Sequence, residues 1–220
     1  VSEPQYLKDP LQEEILITPT RGLIQKYHGR ALVITTGACA INCRYCFRRH
    51  FPYGDNNPSS SDWAGIYQRL TSDASISEVI LSGGDPLILG DRQLSDIIAK
   101  LDSIETVNTI RLHTRLPIAI PQRICPQLLD WVNQCRKKVV FVLHTNHPSE
   151  IDDHVVDAVR ALRDAGATLL NQSVLLRDVN DSPEVLVMLS RRLFDAGVLP
   201  YYLHLLDPVA GAQHFDVPEL

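Results

Sequence analysis

Three cysteines, Cys39, Cys43 and Cys46, follow the apolar run ALVIT (residues 31–35) with the spacing C-x3-C-x2-C. Thiolates are soft ligands that suit iron–sulfur clusters or zinc. A cubane iron–sulfur cluster normally takes four cysteines, so a set of three leaves one iron open to a small molecule. Zinc is the competing occupant. It usually pairs C-x2-C with a second Cys or His pair, and His50 is the available fourth ligand. The chain has five cysteines, an odd set that argues against a disulfide framework and for a reduced, cytoplasmic setting. Cys125 and Cys135 fall on a predicted outer helix and read as small core residues.

Two further clusters carry chemistry. In Ser82-Gly83-Gly84-Asp85-Pro86 the glycines expose backbone to close approach and can hydrogen-bond a zwitterionic amino-acid group. A tight turn is the competing reading. In Lys26-Tyr27-His28-Gly29-Arg30 the arginine can clamp a phosphate and the aromatic can lie on a ring. An ordinary surface turn accounts for that composition equally well.

These residues need a scaffold. With 220 residues, 45% of them apolar and 21% charged, the chain can build one large core or two small ones. The net charge of −5 supplies no basic field for nucleic acid or anionic membrane. No apolar run approaches the roughly 18 residues that a membrane helix needs. The start, VSEPQYLKDP, is no secretory signal. The absent initiator Met and the ending VPEL point to a piece of a longer protein.

Short β-branched runs alternate with amphipathic stretches. Strands are predicted at residues 32–36, 79–82, 109–113, 139–144, 168–174 and 199–204. Helices are predicted at residues 61–72, 91–101, 121–135, 149–165 and 183–196, with Gly166 and Gly197 as stop signals. Such alternation implies parallel pairing with right-handed crossovers, in a doubly wound sheet or a barrel-like array. In barrels, chemistry sits at the C-terminal ends of the strands. The segments TTGAC, SGGDP, HTR, HTNHP, NQS and HLLDP all fall there. Residues 1–30 read as an N-terminal extension and residues 31–220 as the α/β array.

The cysteine motif, with Tyr45 before the last cysteine and its place after the first strand, resembles the radical S-adenosylmethionine (SAM) superfamily. That resemblance implies a partial (β/α)6 TIM-like barrel and a 4Fe–4S cluster on Cys39, Cys43 and Cys46. The open iron would chelate S-adenosyl-L-methionine, whose cleavage yields a 5′-deoxyadenosyl radical. It also implies S-adenosylmethionine contacts from Tyr45, Ser82, Gly83, Gly84, Asp85 and Gln172.

Residues 27–53, NQSVLLRDVND (171–181) and LHLLDPVAGAQHF (203–215) are similar to the lysine 2,3-aminomutase family, across essentially the whole chain. By position, that family implies pyridoxal 5′-phosphate contacts from Tyr27 and Arg30. It implies that Arg48 pairs with the substrate carboxylate and Asp207 with the distal amino group of L-lysine. The wording ACAINCRYCFRRHFPY resembles the branch of the family serving elongation factor P. There (S)-α-lysine becomes (R)-β-lysine and a ligase attaches it to that factor. A 2,3-aminomutase acting on free lysine or on another amino acid such as glutamate or arginine, or a non-catalytic iron–sulfur or zinc module, are the alternatives. An electron donor and a homo-oligomeric assembly complete the expected partners. The chain departs from the family in one respect. Its lysines stand at 8, 26, 100, 137 and 138 only, so the family's pyridoxal-phosphate lysine, in a C-terminal tail, has no counterpart here. This piece is therefore expected to make the radical without completing the aminomutase reaction.

Overall fold

A computed structural model describes residues 6–16 and 18–218. The β-branched runs form β2 (Arg30–Thr36), β3 (Glu78–Gly83), β4 (Thr109–Thr114), β5 (Lys138–His144), β6 (Thr168–Val174) and β7 (Leu199–His204). They pair in parallel and in sequence order. The sheet is open, singly wound and seven-stranded, because the short β1 (Leu23–Ile24) adds antiparallel to β2. The expected partial barrel is therefore present, with one strand more than the sequence suggested. That strand comes from the stretch read as an N-terminal extension, where Leu23 is fully buried.

The crossovers carry α2 (Asp62–Ser72), α3 (Asp91–Asp102), α5 (Pro126–Gln134), α6 (Asp153–Asp164) and α7 (Pro183–Asp195); single-turn helices α1 (Tyr53–Asn56) and α4 (Leu116–Ala119) sit in loops. Repeated crossovers of one hand, with no reversal of strand order, put the helices on one face of the sheet. The large core lies there: Val79, Leu81, Ile110, Leu112, Phe141 and Leu143 from alternate strand positions pack with Leu94, Leu101, Val159 and Leu193 from helices. The opposite, concave face holds a second, small apolar cluster of Val140, Val142 and Leu170. Because strand side chains alternate, this face also receives Arg111, His113, His144, Gln172 and His204.

Two predicted helices are each divided. Pro126 forces Cys125 into extended backbone, which separates the turn Pro121–Arg123 from α5. Asp152, also extended, starts α6 afresh by accepting the Val155 amide at 2.9 Å, so Pro148–Glu150 is a separate turn. Gly166 and Gly197 end their helices at φ of +100° and +80°, a conformation that favours glycine. Among the described residues no helix is long and apolar enough to cross a membrane. The last strand, β7, is exposed along its whole length.

Candidate active site

The polar segments meet at the C-terminal edge of the sheet. After β2 the chain runs through an irregular loop, pinned by turns from the Cys46 amide to the Cys43 carbonyl and from the Arg49 amide to the Cys46 carbonyl. All three cysteines are free. They feel one another: burial chiefly, then Asp85 and the other two sulfurs, pushes the Cys39 thiol up to about 11. Burial likewise raises Cys46. Among the described residues no three His, Cys, Asp or Glu side chains form a coordination sphere as they stand. Binding a cluster requires the thiolate form, so it expels the thiol protons. His50, the zinc alternative's fourth ligand, points its Nε2 at the Ala210 carbonyl, 3.2 Å away. Cys125 and Cys135 flank α5 and pack against the outer core, as expected.

The glycine pair lets the loop after β3 approach the backbone of the cysteine loop closely. Gly83 lies at φ +109°, and the Gly84 amide donates to the Thr36 carbonyl at 2.7 Å. Tyr53 donates its hydroxyl to the Gly83 carbonyl at 2.5 Å. Ser82 is buried, and its Oγ accepts from Arg48 Nη1 at 3.0 Å. Asp85, 5% exposed, has a different task. Its carboxylate accepts from the Thr114 hydroxyl and from the amides of Leu87, Arg115 and Leu116. It ties the loop after β3 to the loop after β4. Burial still pushes its pKa up, against these hydrogen bonds.

Tyr45 sits over the cysteine loop, its hydroxyl accepting from Asn146 Nδ2 at 2.7 Å and from Arg115. Arg115 also pairs with Glu150 and places Nη1 4.0 Å from Cys43 Sγ. Glu150 in turn accepts the Asn146 and His147 amides. None of these partners was singled out from sequence. Arg115, Asn146 and His147 lie in the polar wording HTR and HTNHP at the ends of β4 and β5, and Glu150 stands two residues beyond the latter.

Inside the concave face, His113 and His144 meet edge to face at 5.7 Å. The Nε2 of each is buried without a hydrogen-bond partner. Burial pushes both pKa values down, His144 to about 3, so both rings are neutral. Gln172 pairs in register with His144 on β5 and Tyr202 on β7, which places it on the same face.

Arg48 is 8% exposed and forms a bidentate pair with Glu13, also 8% exposed, at 2.7 Å for each bond. Asp207 is half-buried; burial raises its pKa and so does Glu13, while His204 and Lys26 lower it. Glu13 thus stands in contact with Arg48 and within electrostatic reach of Asp207. Tyr27 and Arg30 stand at the other end of the strands. Tyr27 is 60% exposed, and Arg30 pairs with Glu78 at 2.7 Å. There Arg30, Arg111, Lys138 and His28 line an open groove of about 470 Å³.

A cysteine loop, a glycine pair and orphaned ring nitrogens on one edge of a singly wound sheet invite comparison. The profile of the radical SAM superfamily matches residues 33–189. The chain belongs to the radical SAM superfamily. Proteins named L-lysine 2,3-aminomutase match along most of its length. That of Escherichia coli (strain K12) is 46% identical over 219 residues, covering 100% of this chain and 64% of the relative. That of Haemophilus influenzae is 45% identical over 215 residues, covering 98% and 63%. That of Clostridium subterminale is 40% identical over 215 residues, covering 96% and 51%. The chain thus spans between half and two thirds of the length of these relatives. SuiB from Streptococcus suis, solved bound to S-adenosylmethionine, has a TM-score of 0.66 at 15% identity. It covers 88% of this chain and 44% of SuiB, a likeness of fold.

Radical SAM membership implies a 4Fe–4S cluster and S-adenosylmethionine, and the residues present fit both. Three soft donors lie on one loop. Gly84 lets the loop after β3 pack directly on the cysteine loop, since a Cβ there would stand 2.1 Å from the Ala38 carbonyl oxygen. The unpartnered Nε2 atoms of His113 and His144 await a polar ligand on the concave face.

Proposed function

We propose that this chain is the radical-generating core of a lysine 2,3-aminomutase, an enzyme that converts (S)-α-lysine to (R)-β-lysine; the family's pyridoxal-phosphate lysine has no counterpart among residues 1–220. One observation carries this reading. Glu13 is bonded to the buried arginine fork of Arg48 and lies within electrostatic reach of the half-buried acid Asp207, which brings the two near one another. That pair suits an amino acid whose far end is cationic. The relatives' shared name supports the same reaction.

When bound, the cluster and S-adenosylmethionine supply hydrogen abstraction, and pyridoxal phosphate carries the migrating amino group. The protein does the rest. Cys39, Cys43 and Cys46 hold the cluster. Ser82, Gly83 and Gly84 seat the methionine end, and Asp85 holds that loop in register with Arg115. Tyr45, fixed by Asn146 and Arg115, covers the cluster side. Gln172 faces S-adenosylmethionine from β6. At the opposite end, Arg30 clamps the pyridoxal phosphate group and Tyr27 lies on its ring. Arg111 and Lys138 line the same groove, together with Glu78, which pairs with Arg30 at 2.7 Å and Arg111 at 2.6 Å. Arg48 takes the lysine carboxylate and Asp207 its ε-ammonium, so the substrate is fixed at both ends. Val140, Val142 and Leu170 give the concave face a dry floor.

The finer part of the proposal is that the β-lysine is destined for elongation factor P, through that factor's lysine ligase. The wording of residues 38–53 supports it. The test is to incubate the full-length protein anaerobically with reductant, both cofactors and L-lysine. β-Lysine should form, and its absence would overturn the reading. For the finer part, deletion of the gene should remove the β-lysyl mass from elongation factor P. An unmodified mass difference would leave a free-lysine enzyme.

A further inference from the structure

The guanidinium assigned above to the substrate carboxylate already carries a carboxylate from this chain. Arg48 Nε donates to Glu13 Oε2 and Nη2 to Oε1, each at 2.7 Å. This side-by-side fork is the geometry in which arginine recognises a free carboxylate. Both side chains are nearly buried. A buried guanidinium with no anion is unfavourable, so Glu13 compensates Arg48 while the subsite holds no ligand. A substrate carboxylate arriving beside Glu13 would put two anions on one cation in a low-dielectric pocket. Asp207 lies close enough for Glu13 to raise its pKa, so a third acid borders the same space. One carboxylate has to leave.

Glu13 is the one placed to do so. Arg48 is also held by Ser82 Oγ, at the end of a central strand. Glu13 belongs to the single turn Glu13–Leu16, outside the sheet. Its neighbour Gln12 has φ +52°, the left-handed region that a non-glycine residue adopts at a cost. Upstream, the chain is anchored by the Leu7–Val209 bridge, two residues from Asp207. The Glu13 amide donates to Asp9 Oδ1 at 3.0 Å, so its backbone keeps its place while the side chain turns away from Arg48.

We propose that Glu13 is an internal stand-in for the substrate carboxylate, displaced from Arg48 when an amino acid binds. The proposal rests on the reading of Arg48 as the carboxylate subsite. It is tested on the full-length protein by calorimetric titration with L-lysine and with L-lysinamide, which lacks the carboxylate. Glu13→Gln should tighten L-lysine by about tenfold, the removal of a competing conformation. It should leave L-lysinamide unchanged. Glu13→Asp, too short to complete the fork, should tighten L-lysine by a smaller factor. In the unaltered protein, L-lysine should speed amide hydrogen exchange across residues 12–16, whether or not either variant folds. Unchanged or weaker lysine binding by Glu13→Gln, or exchange that slows, overturns the proposal and makes Glu13 a permanent orienter of Arg48. If the unaltered protein binds L-lysine and L-lysinamide equally, the Arg48 reading itself fails.

Discussion

Gly84 and Ala38 approach so closely that a Cβ on Gly84 would stand 2.1 Å from the Ala38 carbonyl oxygen. The loop after β3 is thereby pressed against the loop that leads into the cysteines. The neighbouring Asp85 amide donates to the same Ala38 carbonyl at 2.9 Å. Gly84→Ala should push the two loops apart, cost about 1–3 kcal/mol as overpacking does, and weaken S-adenosylmethionine binding at least tenfold. Equilibrium dialysis of the reconstituted protein measures the binding, and urea unfolding the stability.

The cysteine loop makes its own prediction. After anaerobic reconstitution with iron and sulfide, the protein should show the broad visible absorption of an iron–sulfur cluster. Cys43→Ala should lose it, because two thiolates cannot hold a cubane. Chelation of iron should remove the colour and leave the fold standing, since the sheet and outer core do not depend on the loop. An unchanged spectrum in Cys43→Ala would remove this residue from the ligand set.

Asp85 accepts from two loops at once while 5% exposed. Asp85→Ala leaves several buried donors unpaired, and the cost should be about 3 kcal/mol by chemical denaturation. Asp85→Asn keeps one acceptor oxygen and should lose less. Equal losses would show that the carboxylate charge, and not its hydrogen bonds, matters.

Acid should destabilise the protein through His144. Its pKa is about 3 in the fold against an ordinary 6.5, chiefly because it is buried. Between these values the unfolded chain binds a proton that the folded chain refuses. Stability is therefore full above the ordinary value and falls as pH drops through the window. His113, also pushed down by burial, acts in the same direction. Scanning calorimetry across this range should show a falling melting temperature, and His144→Gln should flatten the slope.

Asp207→Ala should raise the lysine concentration needed for half-maximal rate by roughly 30- to 100-fold, as expected for stripping one partner from a shielded ion pair. The maximal rate should fall less. Steady-state kinetics of the full-length protein check this, and an unchanged requirement removes Asp207 from the site.

The strands were legible because each is a local pattern. Residues 168–174 and 199–204 match β6 and β7, and β2 to β5 differ from expectation by one or two residues at their ends. Leu23–Ile24 was not legible, since two residues have no periodicity of their own and become a strand only against β2. The division of the predicted helices at Pro126 and Asp152 was present in the sequence as a breaker and a cap, and was overridden by the apolar spacing around them.

By itself the sequence determined the candidate ligands and their order: three thiols at fixed spacing, two glycines after a strand, an arginine two residues beyond the last cysteine. Spacing along a chain settles which donors can share a loop. Only the tertiary structure decided what those residues touch. Glu13 meets Arg48 across 35 positions and Tyr45 meets Asn146 across 101. It also decided that Asp85 is spent on neighbouring loops, and that His113 and His144 meet edge to face on the concave face. Such pairings follow from parallel strands closing side by side, a global arrangement of the sheet that no short window of residues encodes.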